Sequence, residues 1–272
     1  MQAGATRLGH QSDAAVAAKR LGRAPTRHSG FALDAERVIP TIVYADVRFA
    51  LGSDEVAPRE RDEVVARALN VCVAALAMFV LAPLFALIAV AIKLTSRGPV
   101  LYSQTRVGVD RRRRYARNSD RRLYDHGGKL FTMYKFRTMH VNAEPDGRAV
   151  WASKADPRVT LVGRFLRSTR LDEIPQLWNV LRGEMNIVGP RPERPSIVAE
   201  LRRHIPEYQQ RQLVKPGITG WAQVNQSYDA CIDDVRQKVQ LDLEYVRRQS
   251  VIEDLRIMSM TVPVILFRKG GW

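Results

Sequence analysis

Two adjacent carboxylates, Asp172 and Glu173, lie in a stretch that is rich in arginine. The flanking cations are Arg164, Arg167 and Arg170 before the pair and Arg182, Arg191 and Arg194 after it. Near arginines the charged form of a carboxylate is favoured, so it is available as a nucleophile. The same arginines would attract a phosphate, because each guanidinium fork matches two phosphate oxygens. These residue types therefore indicate phosphoryl chemistry.

The same pair also has a purely structural interpretation. Thr169 and Asp172 fit a capping box, and acids in a first turn complement the helix dipole. Pro175 suits an early helical position, and Gly183 suits the stop. On a helix, adjacent residues point about 100° apart. The two acids would then have different tasks, with one attacking while the other holds a metal.

Two further segments bring cations that could serve such a site. In "GPRPERP", three prolines stiffen the backbone around Arg191 and Arg194. "KLFTMYKFRTM" (Lys129–Met139) alternates apolar and polar residues, which predicts a strand with Lys135 and Arg137 on one face.

A run of roughly 22 uncharged residues, Val71–Ile92, is long enough to span a bilayer. Pro83 lies in the middle of this run, where it removes a backbone donor and kinks a helix. Basic residues flank both ends, so the positive-inside rule gives no direction. An ordinary transmembrane helix and a re-entrant helix that breaks at Pro83 both fit the residues.

The composition narrows the class of protein. The chain has 272 residues, a net charge of +15 and two cysteines. Such a charge suits anionic partners, namely nucleic acid, phosphorylated substrates or an acidic membrane face. Cys72 lies in the apolar run, so no disulfide framework is expected, and the histidines show no zinc spacing. Residues 1–60 read as a flexible arm without a secretory signal, in which 38–51 could form a strand or a surface helix.

Three later segments are less distinctive, and two of them leave alternatives open. The arginine-dense insertion 110–129 is either a solvated loop or a patch for anionic headgroups, and it lacks the interleaved aromatics of single-strand binders. Residues 214–225 read as a glycine-punctuated loop. Apolar residues at 251, 255, 258, 262 and 265/266 predict a helix, interrupted by Pro263, that lies in the core or on a membrane surface.

Four motifs follow one another in the order of a known family: "IKLTSRGPVLYSQTRVG", "FTMYKFRTM", "DPRVTLVGRFLRSTRLDEIPQLWNVLRGEMNIVGPRPERP" and "VKPGITGWAQVN". From about residue 62 to 270 the chain resembles the bacterial sugar transferases, which are monotopic phosphoglycosyl transferases. The resemblance implies transfer of a sugar 1-phosphate from a UDP-sugar to undecaprenyl (polyprenyl) phosphate, with release of UMP. By the same resemblance, this transfer would be the first membrane step of exopolysaccharide, capsule or O-antigen synthesis.

The resemblance also implies roles for particular residues. Asp172 would be the nucleophile that forms a phosphosugar-aspartyl intermediate, and Glu173 would help to hold Mg2+. Arg167 matches a phosphate-binding arginine. Pro190-Arg191-Pro192 matches a motif linked to the uridine side. Lys135 and Arg137 match the cations of the "KFRTM" motif.

The implied fold is a small α/β catalytic domain, residues 98–272, on the cytoplasmic face of the inner membrane. Residues 62–97 would form a re-entrant helix–break–helix anchor with its break at Pro83, and amphipathic helices would lie at the interface with anionic lipids. A homodimer is compatible with the family. The residues do not identify the sugar.

The chain departs from the family pattern at three positions. Asn70 and Asn142 stand where members often have an acid, and Gln249 stands where they commonly have Trp. None of them touches the acid pair, but Asn70 concerns the anchor. Two rival functions are a non-enzymatic membrane adaptor and a nucleic-acid binder; the intact acid pair and Arg191 argue against the adaptor, and specific nucleic-acid binding is not expected.

Overall fold

A computed structural model of the chain describes residues 56–110, 125–141, 143, 156–226 and 232–266. All of these residues belong to one unit, Ala35–Trp272. The first 55 residues of the predicted arm, with segment 38–51, lie outside the described residues. So do Asn142 and residues 111–124 of the basic insertion.

Helix α1, Glu63–Thr95, contains the apolar run. Asp62 caps its start by accepting hydrogen bonds from the backbone N–H groups of Val64 and Val65. With 33 residues it is about 50 Å long. It is the one helix in the described part of the chain that is long and apolar enough to cross a membrane. It continues as a helix through Pro83, so the re-entrant path stays a prediction.

Both halves of α1 pack against the rest of the protein. In the first half, Ala74 belongs to the main core. In the second half, Ile88 and Ile92 form a smaller cluster with Phe136 and Leu166. The side chains between and around these contacts are apolar and exposed, for example Phe79, which is 79% exposed. Such an exposed apolar surface is consistent with association with a membrane.

Two small sheets carry the site. Strands β1, Leu101–Val107, and β2, Leu130–Phe136, pair antiparallel with Leu101 opposite Phe136, and β2 confirms the strand predicted within Lys129–Met139. Strands β3, Asn186–Val188, and β4, Gly217–Thr219, pair parallel.

Short helices connect and cover these strands. In chain order they are α2 (Leu161–Ser168), a 3₁₀ turn (Leu171–Glu173), α3 (Gln176–Leu181), α4 (Pro195–His204), a 3₁₀ helix (Pro206–Leu213), α5 (Trp221–Asn225), α6 (Ile232–Arg248) and α7 (Val251–Leu266). The mixture of helices and strands agrees with the predicted α/β class. The predicted loop 214–225 is wrong in detail, because it contains β4 and α5.

Two findings differ from the sequence-based expectations. Val56, assigned to the arm, is 3% exposed, and its N–H donates to Gln210 Oε1 (2.8 Å), so the end of the arm belongs to the folded domain. In α7 the buried residues include Asp254 and Ile257, whereas Leu255 and Val262 are about half exposed. The predicted apolar stripe of α7 therefore does not mark its core face.

Candidate active site

The acid pair lies in the 3₁₀ turn Leu171–Glu173 rather than at a helix start. Arg170, just before it, has φ 55°, a left-handed conformation that is strained for a residue with a side chain. The predicted capping box is wrong, because Thr169 ends α2 and its hydroxyl donates back to Phe165 O (2.8 Å). Gly183, with φ 78°, follows α3 as the stop that the sequence predicted.

Glu173 is held by two cations from distant parts of the chain. Lys135 Nζ on β2 donates to Glu173 Oε1 (2.8 Å). Arg191 donates to both carboxylate oxygens, from Nη2 to Oε1 (2.5 Å) and from Nη1 to Oε2 (3.2 Å). Burial alone would raise the pKa of Glu173, but Arg191 and Lys135 outweigh it and hold that pKa well below its usual range. Glu173 is therefore a fixed anion.

Asp172 has a different environment although it is the next residue. It is 8% exposed, and within the described residues its carboxylate has no hydrogen-bond partner. Burial raises the pKa of Asp172 to about 6, since Lys135 and the arginines only partly oppose the loss of water and the charge of Glu173. This reverses the expectation that the arginines favour its charged form, because the loss of water on burial outweighs the attraction of the cations.

The other predicted cations go to two different places. Arg167, in the last turn of α2, lowers the pKa of Asp172 by its charge and has no hydrogen bond within the described part of the chain. Arg137 instead donates to Ser96 O and Arg97 O (3.0 and 2.7 Å) just after α1. The structure thus brings Arg167 to the acid pair and uses Arg137 at the end of α1.

Asn179 is a residue of this site that sequence reasoning missed. It is fully buried on α3, its Oδ1 accepts from Tyr134 N–H (3.2 Å), and its Nδ2 donates to Thr132 O (2.7 Å). The side-chain amide of Asn179 thus makes two hydrogen bonds to the backbone of β2 of the kind that a neighbouring strand would make. It fixes the acid pair relative to Lys135. An amide inside an apolar helix face was the only sequence signal.

The loop that carries Arg191 is attached to the second sheet. Gly189 N–H donates to Thr219 O (2.9 Å), and Gly217 N–H donates to Pro190 O (3.0 Å). The two backbones approach so closely that a Cβ on Gly217 would lie 2.1 Å from Gly189 N, so glycine is required. Pro190 and Pro192, both buried, flank Arg191. Pro83 lies in α1 and has no part in this site.

The carboxylates of the acid pair could supply some of the ligands of a divalent cation. The described residues contain no cluster of three or more His, Cys, Asp or Glu side chains. Mg2+ commonly uses one or two carboxylates and completes its shell with phosphate oxygens and water. The carboxylate of Asp172 provides such a partial site together with Glu173 Oε2, which accepts one hydrogen bond from Arg191 Nη1. The residues therefore fit Mg2+ only when a phosphate substrate supplies further ligands.

Comparison with known proteins gives three informative relatives. An undecaprenyl-phosphate glucose phosphotransferase from Komagataeibacter xylinus is 40% identical over 218 residues, which are 78% of this chain and 38% of the relative. A UDP-N-acetylgalactosamine-undecaprenyl-phosphate N-acetylgalactosaminephosphotransferase from Aeromonas hydrophila is 40% identical over 76% of this chain and 45% of its own length. A UDP-glucose:undecaprenyl-phosphate glucose-1-phosphate transferase from Caulobacter vibrioides is 40% identical, with coverages of 77% and 72%.

The chain therefore spans less than half of the length of the first two relatives. A family model described as bacterial sugar transferase matches residues 61–268, a range that includes α1, the acid pair and the Arg191 loop. That range covers most of the chain, and the chain accordingly belongs to the bacterial sugar transferase family.

Proposed function

We propose that this protein is a membrane-bound transferase that moves a sugar 1-phosphate from a UDP-sugar to undecaprenyl phosphate and releases UMP. The observation that carries the proposal is that the two carboxylates of the acid pair have different hydrogen-bond environments. Asp172 has no hydrogen-bond partner within the described residues, while Glu173 beside it is held by Lys135 and Arg191. A nucleophile needs free lone pairs, and a neighbouring phosphate needs fixed cations.

The proposed reaction has two displacement steps at one phosphorus atom. An oxygen of Asp172 attacks the β-phosphorus of the UDP-sugar, and UMP leaves with the bridging oxygen and its electron pair. An oxygen of undecaprenyl phosphate then attacks the same phosphorus, and the bond to Asp172 breaks. The products are the diphosphate-linked lipid sugar and a regenerated carboxylate. Splitting the transfer in this way never requires the two substrates to bind together.

The cations of the site are suited to the charges of these steps. Arg167 carries a guanidinium without a partner in the described chain and lies close enough to lower the pKa of Asp172. We assign to Arg167 the binding of the phosphate that Asp172 attacks. Lys135 and Arg191 fix Glu173 and add positive charge behind the same turn. Bound Mg2+, held by Asp172 or Glu173 together with the diphosphate, would neutralise the leaving UMP.

We place the protein at the cytoplasmic face of the bacterial inner membrane, and its exposed apolar side chains support a location at a membrane interface. The exposed apolar side chains of α1 are joined by Leu161 and Phe165, one turn apart on α2, and by Ile252 on α7. A face of this kind suits a helix that lies in the interface. Because both halves of α1 pack on one domain, a re-entrant anchor that turns at Pro83 is the path that we propose. The acceptor phosphate would then lie at the height of Asp172.

UMP release tests the proposed activity. The protein in nanodiscs is incubated with undecaprenyl phosphate, Mg2+ and each of a panel of UDP-sugars, including the glucose and N-acetylgalactosamine donors. We expect UMP with one or a few donors and none from Asp172→Asn. Asp233→Asn, the same change at an exposed carboxylate at the start of α6, is the matched control and should keep full turnover. Normal turnover by Asp172→Asn would contradict the proposal.

Glu173→Gln separates the two carboxylates. We expect it to weaken the Mg2+ dependence of UMP release, because the amide is a poorer ligand for a hard cation. A Mg2+ requirement identical to that of the wild type would assign the metal to Asp172 and substrate alone.

A further inference from the structure

The backbone of the Arg191 loop is held at every residue from Pro190 to Glu193. Each of these four consecutive carbonyls accepts a hydrogen bond from a different donor: Gly217 N, Arg211 Nη2, Arg106 Nη1 and Val107 N, at 3.0, 3.1, 3.1 and 3.0 Å in chain order. Two donors are backbone groups and two are arginine side chains. The orientation of the loop therefore depends on particular side chains as well as on the sheets.

Arg211 is the donor that reaches the carbonyl of Arg191 itself. Its side chain is 3% exposed, and each of its three nitrogens donates a hydrogen bond. Nη2 binds Arg191 O, Nη1 binds the Tyr208 hydroxyl (2.6 Å) and Nε binds Asp242 Oδ2 (2.6 Å). Asp242, on α6, is 2% exposed. Neither member of this buried pair reaches the acid pair with a hydrogen bond or ion pair of its own.

We propose that Arg211 and Asp242 are positioning residues for Arg191. They fix the backbone of residue 191 so that its guanidinium meets both oxygens of Glu173. This inference rests on the proposed function, since it deepens the role of the Arg191 loop. The chain of contacts runs from α6 through Asp242, Arg211 and the Arg191 carbonyl to the Glu173 carboxylate.

The nature of the pair favours positioning over stability as its contribution. A buried ion pair loses so much hydration that its net contribution to folding is often near zero. Its directional hydrogen bonds nevertheless fix one geometry. A guanidinium can bind three partners in three set directions, whereas a lysine ammonium in its place cannot reproduce the planar fork. Arg211→Lys keeps the charge and removes that geometry.

A double-mutant cycle tests the inference. Arg211→Lys is made in the wild type and in Arg191→Gln, and kcat/KM for UMP release is measured with whichever of UDP-glucose and UDP-N-acetylgalactosamine is turned over. If Arg211 acts through Arg191, Arg211→Lys should lower kcat/KM about tenfold or more in the wild-type background. In the Arg191→Gln background it should lower kcat/KM less than about twofold. The same fold loss in both backgrounds would overturn the inference. Where Arg191→Gln turns over too slowly, the cycle is measured in the Kd of the same UDP-sugar.

Two further variants guard against a loss of folding. Tyr208→Phe removes only the hydroxyl that Arg211 Nη1 binds, so a smaller loss that also disappears in Arg191→Gln is expected. Asp254→Asn is the matched control, because Asp254 is a buried carboxylate paired with Arg61 (3.1 Å), and its link to β3 runs through the Tyr245 hydroxyl to Val188 O, not to the carbonyls of residues 190–193. It should lower Tm, and any change in kcat/KM should be the same factor in both backgrounds. A background-dependent effect of Asp254→Asn would contradict specific positioning by Arg211.

The outcomes also separate this inference from the proposed function. If Arg191→Gln alone keeps wild-type kcat/KM and donor affinity, the role given to Arg191 in the transferase site is wrong. If Arg191→Gln loses activity and Arg211→Lys multiplies that loss independently, the transferase site stands and only the positioning role fails.

Discussion

The side chain of Asn70, on the long apolar helix α1, accepts a hydrogen bond from the backbone N–H of Ile187 on β3 (2.5 Å). β3 leads directly into the Arg191 loop. One turn earlier, the Arg67 guanidinium donates to Val180 O and Leu181 O (2.6 and 2.7 Å) at the end of α3. The same face of α1 therefore contacts both chain segments that follow the acid pair, so anchor and site are one structural unit.

Replacing Asn70 by Leu should destabilise the protein. Asn70 is 1% exposed, and the substitution leaves a buried N–H at Ile187 without an acceptor, at a cost of about 1–3 kcal/mol. Asn70→Asp keeps the acceptor and loses only the bond from Nδ2 to Ala66 O, so it is the matched control and should lose less. Tm in nanodiscs measures both. Equal Tm values for Asn70→Leu and the wild type would contradict this account of the anchor.

Arg137 and Arg167 should respond in opposite ways to the same substitution. Arg137→Gln removes the donors to Ser96 O and Arg97 O and should lower stability by about 1–3 kcal/mol. Arg167→Gln breaks no described hydrogen bond and should leave Tm almost unchanged. It should lower kcat/KM about tenfold or more, because a charged hydrogen bond to phosphate is lost. An Arg137→Gln variant that keeps the wild-type Tm but loses activity would contradict the structural role of Arg137 and assign it to the substrate site.

Asp172→Asn should make the folded protein more stable while it abolishes transfer. The folded-state pKa of Asp172 is raised to about 6 from a usual value of 3.8, so ionisation opposes folding once the pH exceeds 3.8. The penalty grows up to pH 6 and is constant above it, reaching at most about 3 kcal/mol. The Tm difference between variant and wild type should therefore be small near pH 4 and largest at pH 7. A variant less stable than wild type at pH 7 would contradict the raised pKa.

The pH dependence of turnover should report the same group. A nucleophilic Asp172 must be ionised, so kcat/KM for the UDP-sugar should fall below an apparent pKa near 6. Glu173 stays ionised throughout this range, because Arg191 and Lys135 hold its pKa well below the usual value. The rate of UMP release, measured between pH 5 and pH 8, shows whether kcat/KM falls in this way. A profile that stays flat down to pH 5 would show that burial does not control the nucleophile.

Local patterns in the sequence predicted much of the fold and the centre of the site. The alternation in 129–139 predicted β2, and the apolar run predicted α1. The order of the motifs identified the family and pointed to Asp172, Glu173 and Arg191. These features are local because they depend on side-chain periodicity or on residues that are close in the sequence.

Contacts between distant residues could not be read from the sequence. Arg211 and Asp242 are separated by 31 positions, and no pattern marks them as partners. Arg137 lies two residues after Lys135, and the alternation predicted a shared face, yet the strand ends at Phe136 and Arg137 turns to α1. The raised pKa of Asp172 was missed for a related reason, since burial depends on elements that only the fold brings together.

The covalent intermediate is the central claim, and intact-protein mass spectrometry tests it most directly. The protein is incubated with a UDP-sugar that supports UMP release, without undecaprenyl phosphate, and is then digested to locate any adduct. The account predicts one added sugar phosphate on the peptide that contains Asp172, absent in Asp172→Asn and lost when undecaprenyl phosphate is added. UMP release that depends on undecaprenyl phosphate from the first turnover, with no adduct on Asp172 under any condition, would contradict it.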